Sequence, residues 1–252
     1  MGAEVEILVK PPSKRASQEA VKKLRQLRFQ ALMLSLPENI NDLAQELISG
    51  AIEYDDFLEK VEKRLPSPAE AWLKGYEQIL METSKLRRMP EIYCYGDVLS
   101  FKAESEKALQ LTLLTLRSMI TSRVNVEEWL KVLQEGSRLE EVSSRREAEK
   151  VANISICYEK TICISDQIPI HIKSRLEHEG IKPRIHYVGQ PHHFTPLEVL
   201  KRRLSKGKIG RDEVEKLIRE HIEFVREYIY REPILEAIDE WSVKKLYWLP
   251  RG

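Results

Sequence analysis

Residues 31–36 read ALMLSL, a largely apolar run that stops at Pro37-Glu38-Asn39. A strand with one wet face alternates apolar and polar residues. A strand that is apolar throughout is covered on both faces, as in parallel sheets packed between helices. Four further segments have strand character: EVEILVK at 4–10, EIYCYG at 91–96, TICIS at 161–165 and RIHYVG at 184–189. Between them, apolar residues recur at helical intervals. Strands separated by helices imply an α/β fold: a mostly parallel sheet of about five strands with helices on both faces.

The predicted helices cover 17–28, 39–48 and 54–64, and then a stretch from the capping box Ser67-Pro68-Ala69-Glu70 to about 86. The segment 103–120 contains ALQLTLLTLRSMI, apolar nearly all round, which predicts burial. Asn125 and Glu128 form a cap-like pair opening a helix that Gly136 ends. Helices at 138–154 and 169–178 follow, the latter closed by Gly180. After Gly189 the character changes. A capping box, Thr195-Pro196-Leu197-Glu198, is followed by Val214, Leu217, Ile218, His221, Ile222, Val225 and Ile229 at helical spacing, then Pro233. The expected organisation is an α/β core at 1–190 with a helical insertion at about 99–158, and a helical C-terminal extension at 191–252.

Lys+Arg 41 against Asp+Glu 40 nearly cancel, which argues against a nucleic-acid coat or a polybasic membrane protein. A charged fraction of 32% with both signs mixed is the composition of thermophile surfaces. No window approaches the ~20 apolar residues of a membrane span, and MGAEVEILVKPP lacks a basic leader, so the expected location is cytoplasmic. Cys94, Cys157 and Cys163 sit among apolar neighbours and read as buried, reduced thiols. The last two are wrongly spaced for a zinc knuckle.

The order of elements resembles the TraB/ChaN/erythromycin-esterase-like superfamily, which includes the TIKI proteases. Three pieces carry the likeness: EVEILVK leading to FQALMLSLPEN; the central helical insertion; and SSRREAEKVANIS leading to TICISDQIPIHIKSRLEHEGIKPRIHYVG. The resemblance implies a histidine just after the first strand, where this chain has VKPPSKR. It also implies a Gly-x-x-His-like stretch after the late strand, where SDQIPIH stands and His171 is displaced. Glu38 matches the family's acidic residue after the second strand. A degenerate member is the implication, and hydrolysis does not carry over.

Glu38 and Asp97 each follow a predicted strand and would share a crevice if those strands were neighbours. Two carboxylates there could hold a cation or share a proton, and each could equally cap a helix. His192-His193, in GQPHHFTP, is the only histidine pair, and His193 could supply a nitrogen to that crevice. His171 and His178 could share a helix face, and His221 sits on an apolar stripe. Lys201, Arg202, Arg203, Lys206, Lys208 and Arg211 form a basic patch that could track phosphates, without interleaved aromatics. Trp241, Tyr247, Trp248 and Leu249 in the aromatic tail either fold back or anchor a partner. No phosphate loop, nucleophile elbow or CxxC is present, and any cofactor stays unknown from the sequence. The leading expectation is a binding or interaction subunit, with a protein partner or second copy at the C-terminal region. A metal-assisted hydrolase using Glu38, Asp97 and His193 ranks second, and a nucleic-acid accessory protein third.

Overall fold

The computed structural model describes residues 3–66, 69–135, 137–166, 169–189, 195–207 and 209–247. It has a five-stranded sheet in which every pairing is parallel. The strands are β1 (Glu4–Val9), β2 (Ala31–Pro37), β3 (Glu91–Gly96), β4 (Lys160–Ser165) and β5 (Arg184–Tyr187), in the spatial order β3-β2-β4-β1-β5. Helix α1 (Lys14–Gln26) joins β1 to β2. Between β2 and β3 come α2 (Asn41–Ser49), α3 (Tyr54–Glu62) and α4 (Ala69–Thr83). The chain then runs through α5 (Val98–Thr121), α6 (Val126–Gln134) and α7 (Ser137–Ser155) to β4. Helix α8 (Ile170–His178) leads to β5, and α9 (Pro196–Ser205), α10 (Arg211–Phe224) and α11 (Ile234–Lys244) follow.

The sequence explains where elements start and stop. Pro11-Pro12 ends β1, and Ser13 caps α1 by accepting from the Ala16 backbone N–H at 3.1 Å. Gly180, at φ +77°, follows α8, where the Ile181 N–H donates back to the Leu176 carbonyl. The Thr195–Glu198 capping box forms in both directions. Asn125 precedes α6 but its side chain makes no capping bond, contrary to expectation. Pro233 does interrupt the late helix. Before it, Val225–Ile229 widens into a π turn, and α11 restarts behind the proline. The Ser67-Pro68 half of the other capping box lies outside the described residues.

The chain divides into two compact units: Met1–Ala103 with Ser137–Pro191, and Glu104–Gly136 with His192–Gly252. In the first, strand residues of alternate parity feed two cores. Leu8, Leu32, Leu34, Ile162 and Ile164 pack with residues of α1 to α4 on one face. Val5, Ile7, Val9, Met33 and Cys163 pack with residues of α7 and α8 on the other. Both faces of the sheet are dry, as the apolar run at 31–36 requires. Gly189 follows β5 at φ +75°. A Cβ there would lie 3.0 Å from Ala16 Cβ, so only glycine lets the chain pass α1.

In the second unit, Val126, Trp129 and Leu133 pack with Val199, Leu200, Val214, Leu217 and Ile218. A smaller cluster joins Phe224, Ala237, Ile238 and Trp241. The expected all-round burial of 103–120 does not hold. Leu111 and Leu114 pack inward, but Leu109, Leu113, Leu116 and Ile120 are exposed. Among the described residues one side of α5 is packed and the apolar residues on its other side are exposed. Cys94 and Cys163 are buried free thiols, which burial pushes up to about 12. Cys157 is free but exposed, because it lies in the turn after α7. No helix among the described residues is long and apolar enough to cross a membrane.

Candidate functional site

The connections from β1 and β2 run towards one edge of the sheet, and those from β3 and β4 towards the other. Neighbours whose connections run in opposite directions are β3 and β2, β2 and β4, and β4 and β1; at β2 and β4 the connections diverge. At such switch points the helices part to opposite faces, leaving a crevice beyond the carboxyl ends of the strands. Lys10 directly follows β1, Ser35 lies near the end of β2, and Asp166 directly follows β4. Tyr76 reaches the same place from α4.

These four side chains form one connected cluster. Ser35 Oγ donates to Asp166 Oδ2 at 2.8 Å, and Tyr76 Oη donates to the same oxygen at 2.9 Å. The two hydroxyl oxygens are themselves 2.5 Å apart. Lys10 Nζ lies 3.3 Å from Asp166 Oδ1 and 4.8 Å from the centroid of the Tyr76 ring. Ser35 stands in a run of apolar residues, and the register of β2 against β3 shifts between Leu34 and Pro37. Such irregularities re-aim side chains at strand ends. Gly75 of α4 lies beside the cluster, where a Cβ would be in ordinary contact with Lys10 Nζ at 3.5 Å.

The burial is graded. Lys10 is 1% exposed and Tyr76 3%, whereas the Asp166 side chain is 35% exposed. Burial, then the Asp166 charge, raises the Tyr76 phenol well above its ordinary range, so it stays protonated and donates. The Asp166 side chain is thus partly open, with Oδ2 held by two hydroxyls and Oδ1 buried beside the ammonium without a hydrogen bond.

Glu38 and Asp97 do follow paired strands, since Pro37 of β2 is in register with Gly96 of β3. Each, however, is engaged separately, and by α7. Glu38 pairs with Lys150. The Asp97 carboxylate accepts from the Ser100 backbone N–H at 2.9 Å, which caps α5, and it lies 3.8 Å from Arg146. The Asp97 backbone N–H donates to Glu147. Burial raises the Glu147 pKa, and the Asp97 charge adds to that. His192 and His193 lie outside the described residues. His171 and His178 are exposed on α8, and no three metal-ligating side chains converge among the described residues.

The basic patch is largely neutralised. Lys201 pairs with Glu104 at 3.4 Å, Arg203 with Glu213 and Arg211 with Glu127. Arg202 lies in the last turn of α9 and Lys206 is its exposed C-cap, while Lys208 is outside the described residues. In the tail, Trp241 folds back rather than facing outward. It is 1% exposed and packs edge-on against Phe224 at 5.2 Å and Tyr228 at 5.3 Å. Tyr247 Oη donates to Glu220 at 2.8 Å. Trp248 and Leu249 lie outside the described residues.

The sequence reading passed over Lys10, Ser35, Tyr76 and Asp166. The signal in the sequence is a charge directly after a buried strand, at VK and SD, as it is at Glu38 and Asp97. Compared with family models, with curated proteins and with solved structures, the chain matches none.

Proposed function

We propose that this chain is a ligand-binding protein whose α/β unit takes a neutral, hydroxyl-bearing small molecule at the carboxyl edge of its sheet. Asp166 accepts from a ligand hydroxyl, and Ser35 lies beside it. Lys10 and Tyr76 are positioning residues that hold the carboxylate. One observation carries this: Asp166 is a third exposed while it is held by Lys10, Ser35 and Tyr76. An acceptor fixed in advance loses little freedom when it binds.

The same geometry bears on the ligand's charge. Asp166 already has an ammonium 3.3 Å away. A second cation would therefore meet a compensated carboxylate, and the ammonium would repel it. A hydroxyl donor brings no charge and still gains a charge-assisted bond. Sugars and nucleosides have this chemistry. The proposal keeps a binding role on a TraB/ChaN-like layout without its histidine, and moves the site from the tail to the sheet.

The test is thermal denaturation of the full chain against a panel of monosaccharides and ribonucleosides. A ligand at a hundred times its Kd stabilises by about 2.7 kcal/mol. For a protein of this size that is a rise of roughly 5–10 °C in Tm. The expected result is such a rise with one class of compound, abolished in D166N. If no compound raises the transition, or if D166N keeps the rise, the proposal is wrong.

A further inference from the structure

Helix α5 ends beside an open cavity in the second unit. Ser122, at φ +56°, takes the chain out of the helix, so Arg123 and Asn125 lie in the connection to α6. The last turns of α5, the start of α6 and the first residue of α10 enclose about 630 Å³, the size of a small-molecule site. Leu114, Val124 and Trp129 give the cavity an apolar wall, and Arg117, Arg123 and Arg211 border it.

The polar groups around this cavity are unevenly spent. Arg117 pairs with Glu128 at 2.9 Å and Arg211 pairs with Glu127, so both glutamates of the rim are neutralised. Arg123 makes no ion pair among the described residues. Ser118 is 6% exposed, and its hydroxyl makes no hydrogen bond among the described residues. The Asn125 side chain leaves the start of α6 uncapped. Trp129 is 0% exposed, and its indole N–H has no acceptor among the described residues. Guanidinium and indole can only donate, and a hydroxyl and an amide can donate as well. Unpaired buried polar groups call for a partner, and here the partner must accept.

We propose that this cavity binds a small carboxylate with an apolar body, of the aryl carboxylate class. Three arginines against two glutamates leave one positive charge at the rim, which one carboxylate cancels. A phosphate monoester would bring about two negative charges at neutral pH and set the surplus against Glu127 and Glu128. Arg123 takes the carboxylate in a charge-assisted pair, with the Ser118 hydroxyl and the Asn125 amide as further donors. The apolar body lies on Leu114, Val124 and Trp129. This site is separate from Asp166, which belongs to the other compact unit and calls for a neutral donor.

The experiment is calorimetric titration of the full chain with 2-naphthoate, and with 2-naphthylmethanol as its neutral isostere. A ligand of this size is expected to bind with a Kd on the order of 0.1–1 mM. The alcohol should bind about tenfold more weakly, and R123Q should weaken the carboxylate by about the same factor. Arg123 is exposed in a connection, so R123Q should keep the wild-type circular dichroism. Saturating naphthoate should slow hydrogen exchange in peptides covering 114–129. A wild type without saturable binding overturns the proposal. So does an alcohol that binds as tightly as the carboxylate, an R123Q variant of unchanged affinity, or protection that falls outside 114–129.

Discussion

Lys10 and Asp166 form an ion pair with very unequal burial, and this makes the two single truncations unequal. In D166A the Lys10 ammonium keeps its 1% exposure and loses its carboxylate. Removing one member of a buried pair costs about 3–5 kcal/mol, because the other charge is stranded. The Tyr76 ring face remains 4.8 Å from Lys10 and offsets part of this, so the expected cost is about 3 kcal/mol. In K10M the stranded group is Asp166, a third exposed and still accepting from Ser35 and Tyr76. Water reaches it, the methionine fills much of the lysine's volume, and the cost falls to about 1 kcal/mol. The double variant K10M/D166A strands nothing and is expected to be more stable than D166A. Hydrogen exchange by mass spectrometry on β1 and β4 peptides reads this unit alone. With tenfold per 1.4 kcal/mol, protection should drop about a hundredfold in D166A and about fivefold in K10M. A loss in K10M equal to or larger than that in D166A would refute the reasoning, since graded burial would not then set the cost.

Three other outcomes are expected. Gly96→Ala places a Cβ 2.8 Å from the Leu36 carbonyl oxygen and 3.2 Å from that of Ser35. Backbone cannot step aside, so the sheet should lose about 1–3 kcal/mol in urea unfolding, and an unchanged midpoint would show the strand ends to be looser than drawn. Burial pushes the His221 imidazole down to about 4, with Nε2 3.2 Å from Thr115 Oγ1. The unfolded chain takes up that proton first, near pH 6.5, so stability is level above this pH. It then falls as pH drops towards 4, by up to about 3 kcal/mol. Tryptophan-monitored unfolding at pH 7 and 4.5 should show the loss, and H221Q should remove it. Finally, a maleimide added to the native protein should modify Cys157 alone, with Cys94 and Cys163 reacting only in denaturant. Fast labelling of all three would contradict the two buried sites.

The fold class was legible because burial on both faces leaves a mark at every position of a strand. Leu32 and Leu34 face one core and Met33 the other, so ALMLSL is apolar at every position but Ser35. The same logic failed for α5. An all-round apolar composition predicts an all-round cover only if the cover is part of the chain. Here Leu111 and Leu114 find it, while Leu113 and Leu116 do not. The tail allowed two readings, and for Trp241 the structure takes the first: the π turn at Val225–Ile229 and the restart at Pro233 bring Tyr228 and Phe224 round to enclose it. No local pattern encodes that turn.

The site was illegible for a different reason. Its four residues stand at 10, 35, 76 and 166, so no window contains two of them. What unites Lys10, Ser35 and Asp166 is the strand order, in which β4 inserts between β1 and β2. Parallel pairing of distant strands is a long-range property, and each residue alone reads as an ordinary strand end. Glu38 and Asp97 drew attention because β2 and β3 are consecutive in sequence as well as in space. Yet at these two strand ends α7 supplies Lys150 to Glu38 and Arg146 to Asp97. The charge that stays open is Asp166, on the central strand β4, whose neighbours' connections both leave it in the opposite direction. In a sheet of this kind, the strand inserted between two others is the one whose terminal polar residue merits the first mutation.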